Sequence, residues 1–378
     1  MAACSPDQAP VKSGADRMDQ YLQLIEGKKI ALVANHTSVV GQRHLVDTLL
    51  ERGIEKDQIL KVFAPEHGFR GDHAAGVQVE DGADPQTGIP VASLYGSHKK
   101  PVPGELEGIE VMLFDLQDVG ARFYTYISTL HYVMEACAEN DISLLLLDRP
   151  NPNGGYVDGP VLDTAFRSFV GMHPIPVVYG LTIGELAVMI NGEGWLSGGI
   201  RCDLTVIPCK GYYHGRSYSM PVSPSPNLAN DHAVLMYPST CFFEGTVLSE
   251  GRGTPMPFET YGHPELTGDF SFTPVAIPGV ARNPKFEGRT CYGADLRGFN
   301  PEAGWTRLHL QFVLDAYKAF PRKDEFFTRY FSTLAGTDQL RKQIESGWDE
   351  EKIRASWQEE LEQYRMKRSK YLIYEEDK

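Results

Sequence analysis

The 378-residue sequence predicts an α/β protein whose first half is a doubly wound, Rossmann-like, mostly parallel sheet, with a second domain after it. Three observations carry this prediction. Short apolar runs recur almost without interruption, stretches at helical spacing separate them, and polar residues stand at the end of run after run. An apolar run without alternation suits a strand buried on both faces, as a parallel sheet covered by helices requires.

The first run is Lys29 to Asn35 (KIALVAN), and His44 to Arg52 follows with Leu45, Leu49 and Leu50 on one helical face. The alternation continues through strands at 59–64 and 110–116, a helix at 123–139, a strand at 142–148, a helix at 182–191 and a strand at 203–208. Gly, Pro and Asp accumulate between Gly68 and Pro103, which reads as a functional loop or small lid rather than core. A second composition shift follows Lys210, where Ser223 to Asn230 (SPSPNLAN) is a turn-rich connection. The expected division is a flexible N-terminus over 1–20, the doubly wound domain over 21–215 and a second domain over 216–378. Within the last, 244–262 is glycine-rich and charged, 303–317 is an amphipathic helix, and 349–370 is a helix with Ile353, Trp357, Leu361 and Tyr364 on one face.

The formal net charge of −14 argues against nonspecific nucleic-acid binding, which needs Lys and Arg to displace counterions. It leaves room for a small anionic ligand, because a few arginines act at contact range. Six scattered cysteines without a C-x-x-C pair exclude a zinc ribbon. No apolar run reaches the length of about 20 residues that spans a bilayer. The start, Met-Ala-Ala-Cys-Ser, suits the remnant of a trimmed lipoprotein signal with Cys4 as lipid anchor, and equally an ordinary flexible N-terminus.

Side by side, the predicted strand ends carry Asn35 and His36, Glu66 and His67, Asp115 with Gln117 and Asp118, Asp148 and Arg149, and Tyr179. Ligands of open α/β sheets bind beyond the carboxyl ends of the strands, so these side chains converge on one crevice. Structural roles compete for several: Asp118 as a helix cap, and Asp148 with Arg149 as an ion pair bracing the turn 151–155. Glu66 stands out, since Pro65 precedes it, His67 adjoins it and Arg70 follows in a glycine-flanked loop. In the second domain Glu244, Glu250 and Arg252 lie on glycine-rich backbone, where Arg252 suits a carboxylate ligand and a solvated surface ion pair is the competing reading.

A hydrolytic metal site on His67, Asp72 and His73 is the rival chemistry, but H-E-x-x-H and comparable spacings are missing. So are G-x-S-x-G and, after the first strand, G-x-G-x-x-G. No metal and no cofactor are expected.

The segments APEHGFRG, FDLQDVGARFYTYISTL, LDRPNPNGG and FFEGTVLSEGRGTPMPFE stand in an order and spacing that resemble the NamZ-type exo-β-N-acetylmuramidases, a glycoside hydrolase family formerly catalogued as a domain of unknown function. The likeness runs from Lys29 to Tyr374. It implies a Rossmann-like domain joined to a smaller mixed α/β domain, with the active site in the cleft between them. It further implies a bacterial cell-envelope enzyme of cell-wall turnover, releasing N-acetylmuramic acid from non-reducing ends of peptidoglycan fragments or of a MurNAc-GlcNAc disaccharide. Glu66, in the PEHG motif, is the catalytic residue the resemblance points to.

The remaining roles follow from position and chemistry. Glycoside hydrolysis takes two carboxyl groups, and Asp115, Asp118, Glu244 or Glu250 is the expected partner of Glu66 as general acid; assistance by the 2-acetamido group is the other route. The lactyl carboxylate of the sugar calls for a cation, Arg70, Arg122 or Arg252. Phe123, Tyr124 and Tyr126 offer sugar contacts, Tyr124 being preferred, and Asn35, His67 and Asp148 complete the crevice. The interval 68–103 is expected to wall off one end of the cleft. A non-catalytic envelope protein that binds muropeptides is the alternative.

Overall fold

The computed structural model describes residues 10–66, 68–70 and 82–376. Its frame is a seven-stranded sheet of β1 (Ile30–Ala34), β2 (Ile59–Ala64), β3 (Gly82–Ala83), β4 (Pro90–Ser93), β5 (Val111–Asp115), β6 (Ser143–Leu147) and β7 (Leu204–Ile207). The spatial order is β3-β4-β2-β1-β5-β6-β7, and every pairing is parallel except that of the short edge strand β3.

The uninterrupted apolar character of these strands has its cause in two covered faces. In β1, Ile30, Leu32 and Ala34 join one core cluster, while Ala31 and Val33 join the other. β5 and β6 divide the same way, Leu113 and Leu145 to one side, Phe114 and Leu146 to the other. Helices α1 (Met18–Ile25) and α2 (Leu45–Glu51) cover the first face; α3 (Tyr126–Glu139) and α4 (Ile183–Gly192) cover the second. β1 has β2 on one side and β5 on the other, so the chain leaves it in opposite directions. Such a switch point opens a crevice at the strand ends.

The second part holds α5 (Asp231–Thr240), an antiparallel sheet of β8 (Thr260–His263), β9 (Phe270–Phe272) and β10 (Cys291–Asp295) in the order β8-β10-β9, and helices α6 (Gln311–Ala319), α7 (Arg329–Ala335), α8 (Gln339–Glu345), α9 (Glu350–Ala355) and α10 (Gln358–Arg368). Its core is continuous with the first, one cluster running from Ala31 to Tyr364. The end of the chain returns to the first part: Tyr364 Oη donates to the carbonyl of Tyr179 at 2.7 Å, and Tyr374 Oη to Asp148 Oδ2 at 2.6 Å. Among the described residues no helix is long and apolar enough to cross a membrane.

Several sequence expectations change. The N-terminus read as flexible is docked from residue 11 on, with Lys12 bridged to Lys210 and Gly14 N bonded to the carbonyl of Asp148 at 2.7 Å. The space there admits glycine alone, since a Cβ on Gly14 would lie 2.3 Å from Ile207 O. Cys4 lies outside the described residues. Part of the interval read as loop is sheet: β4 pairs with β2, and Ile89, Ala92 and Leu94 are buried. Its four residues begin with proline, which conceals it from pattern reading. The helix read at 303–317 begins at Gln311, and that at 349–370 breaks at Ser356 and Trp357 into α9 and α10.

His44 shows how the crevice edge is held. Its Nδ1 accepts from Val46 N at 3.3 Å, capping α2, and its Nε2–H meets the carbonyl of Asn35 at 2.9 Å. Burial, the largest cause, lowers its pKa from 6.5 to about 4. Between those values the unfolded chain binds a proton that the folded chain refuses, so stability is present above pH 6.5 and lost as pH falls towards 4. His44→Asn, which keeps a capping acceptor, is expected to flatten this part of the pH dependence. Urea midpoints at neutral and at mildly acidic pH check it, and parallel curves for the two proteins would contradict it.

Candidate active site

β2 delivers Glu66. The strand ends at Ala64, and the chain turns through Pro65 with Gly68 N on the carbonyl of Pro65 at 3.2 Å. Gly68 has φ 76°, a left-handed value that favours glycine. The half-buried carboxylate accepts from Thr125 Oγ1 at 3.1 Å and is hydrogen-bonded by the Tyr95 hydroxyl. Burial first, then the charge of Glu66, raises the Tyr95 hydroxyl above its ordinary range, so it stays a donor.

The facing wall comes from the second part. α5 runs into a 3-10 turn, Cys241–Gly245, and presents Tyr237, Cys241 and Glu244 to the same cavity. Arg252 reaches it from a loop whose flanking glycines, Gly251 and Gly253, have φ 83° and 80°. A Cβ on Gly251 would come to 2.6 Å from Met256 O, and one on Gly253 to 2.6 Å from Val275 O. Arg252 places Nη2 at 2.6 Å and Nε at 3.2 Å from Glu244 Oε1, with Nε 3.3 Å from Glu250 Oε1 and the guanidinium 5.1 Å above the Phe258 ring. Burial opposes its charge, but Glu244 and Glu250 outweigh burial and raise the guanidinium above its usual value.

The enclosed space is about 170 Å³, with Phe123, Tyr124, Tyr126, Phe169, Tyr237, Phe258 and Tyr330 among its walls. Arg252 is the one cation among the described residues lining it. A larger cavity of about 220 Å³, beside Asn153, Tyr156 and Trp305, offers a single carboxylate, the exposed Asp231. The smaller one has the paired acid groups that hydrolysis needs.

The structure brings Glu66, Tyr124, Glu244 and Arg252 together at this cavity, and Glu250 stands behind Arg252, 3% exposed. Tyr124 spends its hydroxyl on the carbonyl of Pro224 at 2.7 Å, leaving its ring as the wall. Asn35 is one layer below: its Nδ2 donates to Tyr126 Oη at 2.6 Å and its Oδ1 accepts from Thr37. Five other predicted residues are placed elsewhere. Asp118 is buried and accepts from Gly120 N at 2.7 Å and from the Tyr179 hydroxyl. Asp115 is buried in a two-pronged pair with Arg149 at 2.6 and 2.9 Å. Asp148 accepts from Thr182 Oγ1, Gly184 N and Tyr374 Oη, bracing the start of α4; burial raises it to about 6. Arg122 is fully buried and donates to the carbonyls of Pro160, Ile175, Leu334 and Ala335, so it has no reach to a ligand. Arg70 is clamped between Asp47 and Asp84. His67, with Asp72 and His73, lies outside the described residues.

Sequence reasoning missed Thr125, Tyr95, Phe169 and Tyr330. Thr125 stands between two residues that the argument did pick, and its position was the available signal. Tyr95 belongs to the interval expected to wall the cleft, and it does line the cavity, although 71–81 are outside the described residues. Tyr330 and Phe169 carry no local mark.

An aromatic-walled cavity with two carboxyl groups, set between the two parts of an α/β chain, has the makings of a glycosidase site. Family models described as Exo-beta-N-acetylmuramidase NamZ, N-terminal, and Exo-beta-N-acetylmuramidase NamZ, C-terminal, match residues 30–232 and 235–374. The chain belongs to the NamZ family of exo-β-N-acetylmuramidases, and it is a glycosidase, a peptidoglycan muramidase. It is 38% identical over 400 aligned positions to the peptidoglycan β-N-acetylmuramidase NamZ of Bacillus subtilis (strain 168), covering 99% of this chain and 95% of that one. Two crystal structures of DUF1343 family proteins from Bacteroides fragilis NCTC 9343 share the fold. One has a TM-score of 0.89 at 44% identity and covers 98% of this chain and 100% of its own; the other has 0.79 at 28%, covering 97% and 99%. The two matched segments meet between 232 and 235, later than the 215/216 boundary read from composition.

Proposed function

We propose that the cavity receives a terminal N-acetylmuramic acid residue and that Glu66 protonates the leaving oxygen. The observation that carries this reading is the meeting of Glu66 and Glu244, from separate parts of the chain, on one cavity with Arg252 between aromatic walls. Glu244, paired with Arg252, is the second carboxylate; it activates water or orients the 2-acetamido group. Arg252 turns its remaining N–H groups to the lactyl carboxylate, which sets this sugar apart from N-acetylglucosamine. Release from the non-reducing end is the reading that the sequence resemblance supports, and Tyr95, from the interval expected to wall the cleft, lines the same cavity. The setting we infer is the bacterial cell envelope and its wall turnover, with Cys4 as anchor point, a reading that rests on the sequence.

A chromogenic β-N-acetylmuramide decides between hydrolysis and mere muropeptide binding: dye release is expected, and saturable binding without release would favour the binding protein. MurNAc-GlcNAc should be cleaved and GlcNAc-MurNAc left intact. Proton NMR of the first-formed anomer then assigns the role of Glu244, since inversion requires water activation opposite the acid.

A further inference from the structure

Arg252 can read an anion only if something holds it still; of its two carboxylate partners, Glu250 sits on the same glycine-flanked loop and Glu244 on the 3-10 turn before it. Lys285, from outside that loop, gathers it. Its Nζ lies 3.0 Å from the carbonyl oxygen of Phe243, 3.4 Å from that of Glu244, 3.1 Å from that of Thr246 and 2.8 Å from that of Leu248. A fifth oxygen, Glu250 Oε2, is 3.1 Å away. An ammonium has three hydrogens, so five oxygens around it make an electrostatic cage rather than a set of separate bonds.

The cage closes a ring of charge. Lys285 holds Glu250 by Oε2, Glu250 holds Arg252 by Oε1, and Arg252 holds Glu244, whose own carbonyl returns to Lys285. Two cations and two carboxylates balance. Glu250 is 3% exposed, and Lys285 meets its Oε2 at 3.1 Å as an ion pair without a hydrogen bond, so removing Lys285 halves the cationic charge facing this buried carboxylate, leaving it to Arg252, and the loop's carbonyls lose their common donor.

We propose that Lys285 is a positioning residue for anion recognition, fixing Arg252 through Glu250 in the orientation that meets the substrate's carboxylate. This rests on the reading of Arg252 given above. The Lys285 side chain is one-third exposed, and methionine keeps an unbranched, flexible stem of similar length while removing the charge.

The test measures binding of N-acetylmuramic acid and of its uncharged methyl ester, by calorimetry, to the full chain and to K285M, E250Q and R252Q. Loss of positioning is expected to weaken the acid by about tenfold in K285M and to change the ester by less than about twofold. Equal weakening of acid and ester would make Lys285 a structural residue and overturn the inference, as would unchanged binding of both. If K285M does not fold, E250Q breaks the same link from its other end with a side chain of equal shape, and the same outcomes apply. Weakened acid binding in R252Q with none in K285M or E250Q removes the role of Lys285 alone. Unchanged acid binding in R252Q removes Arg252 as the anion's receptor, and this inference with it.

Discussion

Glu66→Gln is expected to lower kcat on an aryl β-N-acetylmuramide by about a thousandfold, the middle of the range for loss of a general acid. Glutamine keeps the shape, can still accept from Thr125 Oγ1, and cannot deliver the proton. The fold should tolerate the change, because the side chain is half-buried at a loop rather than in the core. Leaving-group dependence makes the result specific to protonation. A 2,4-dinitrophenyl glycoside departs without a proton, so its hydrolysis should fall far less than that of a phenyl glycoside. Equal loss on both would shift Glu66 to nucleophile or base, and a normal rate on both would take it out of the mechanism.

Arg122→Ala is expected to cost on the order of 4 kcal/mol of stability, because four buried carbonyls lose their donor at once. Its Nη1 spans Pro160 and Ile175 at 2.8 and 2.7 Å; its Nη2 spans Leu334 and Ala335 at 3.0 and 2.6 Å. The first pair belongs to the first part of the chain and the second to α7, so Arg122 ties the two walls of the cavity together. Burial lowers the guanidinium to about 9, which leaves it charged at neutral pH. Gly336 meets it closely: a Cβ there would be 2.7 Å from Nη2, at φ 71°. Arg122→Lys should recover only part of the loss, as an ammonium lacks the planar fork. Chemical unfolding measures both. A raised KM at unchanged stability would instead return Arg122 to the substrate.

Burial separates what pattern reading could see from what it could not. Arg122, Asp115, Asp148 and Arg70 have the chemistry of ligand-binding residues and stand at strand ends or in the segments that follow them, and from the chain alone they look like Arg252 and Glu66. Partners distant in sequence assign them: Arg149 for Asp115, Tyr374 for Asp148, Asp47 and Asp84 for Arg70, α7 for Arg122. Lys285 is the converse, a lysine without local pattern that becomes meaningful beside the carbonyls of 243–248.

From its sequence alone this protein was readable as a parallel α/β sheet with helices on both faces, because two-sided burial demands unbroken apolar strands and leaves them visible as such. Glu66 was readable as a candidate too, from the Pro65, His67 and Arg70 around it, and the left-handed Gly68 shapes the turn that carries it. Tertiary structure alone decided which of the candidate carboxylates lines a cavity with Glu66 and which of the candidate arginines does. Those choices depend on pairings and hydrogen bonds between residues tens to hundreds of positions apart, such as Arg122 with Leu334 and Ala335, and no local spacing records them.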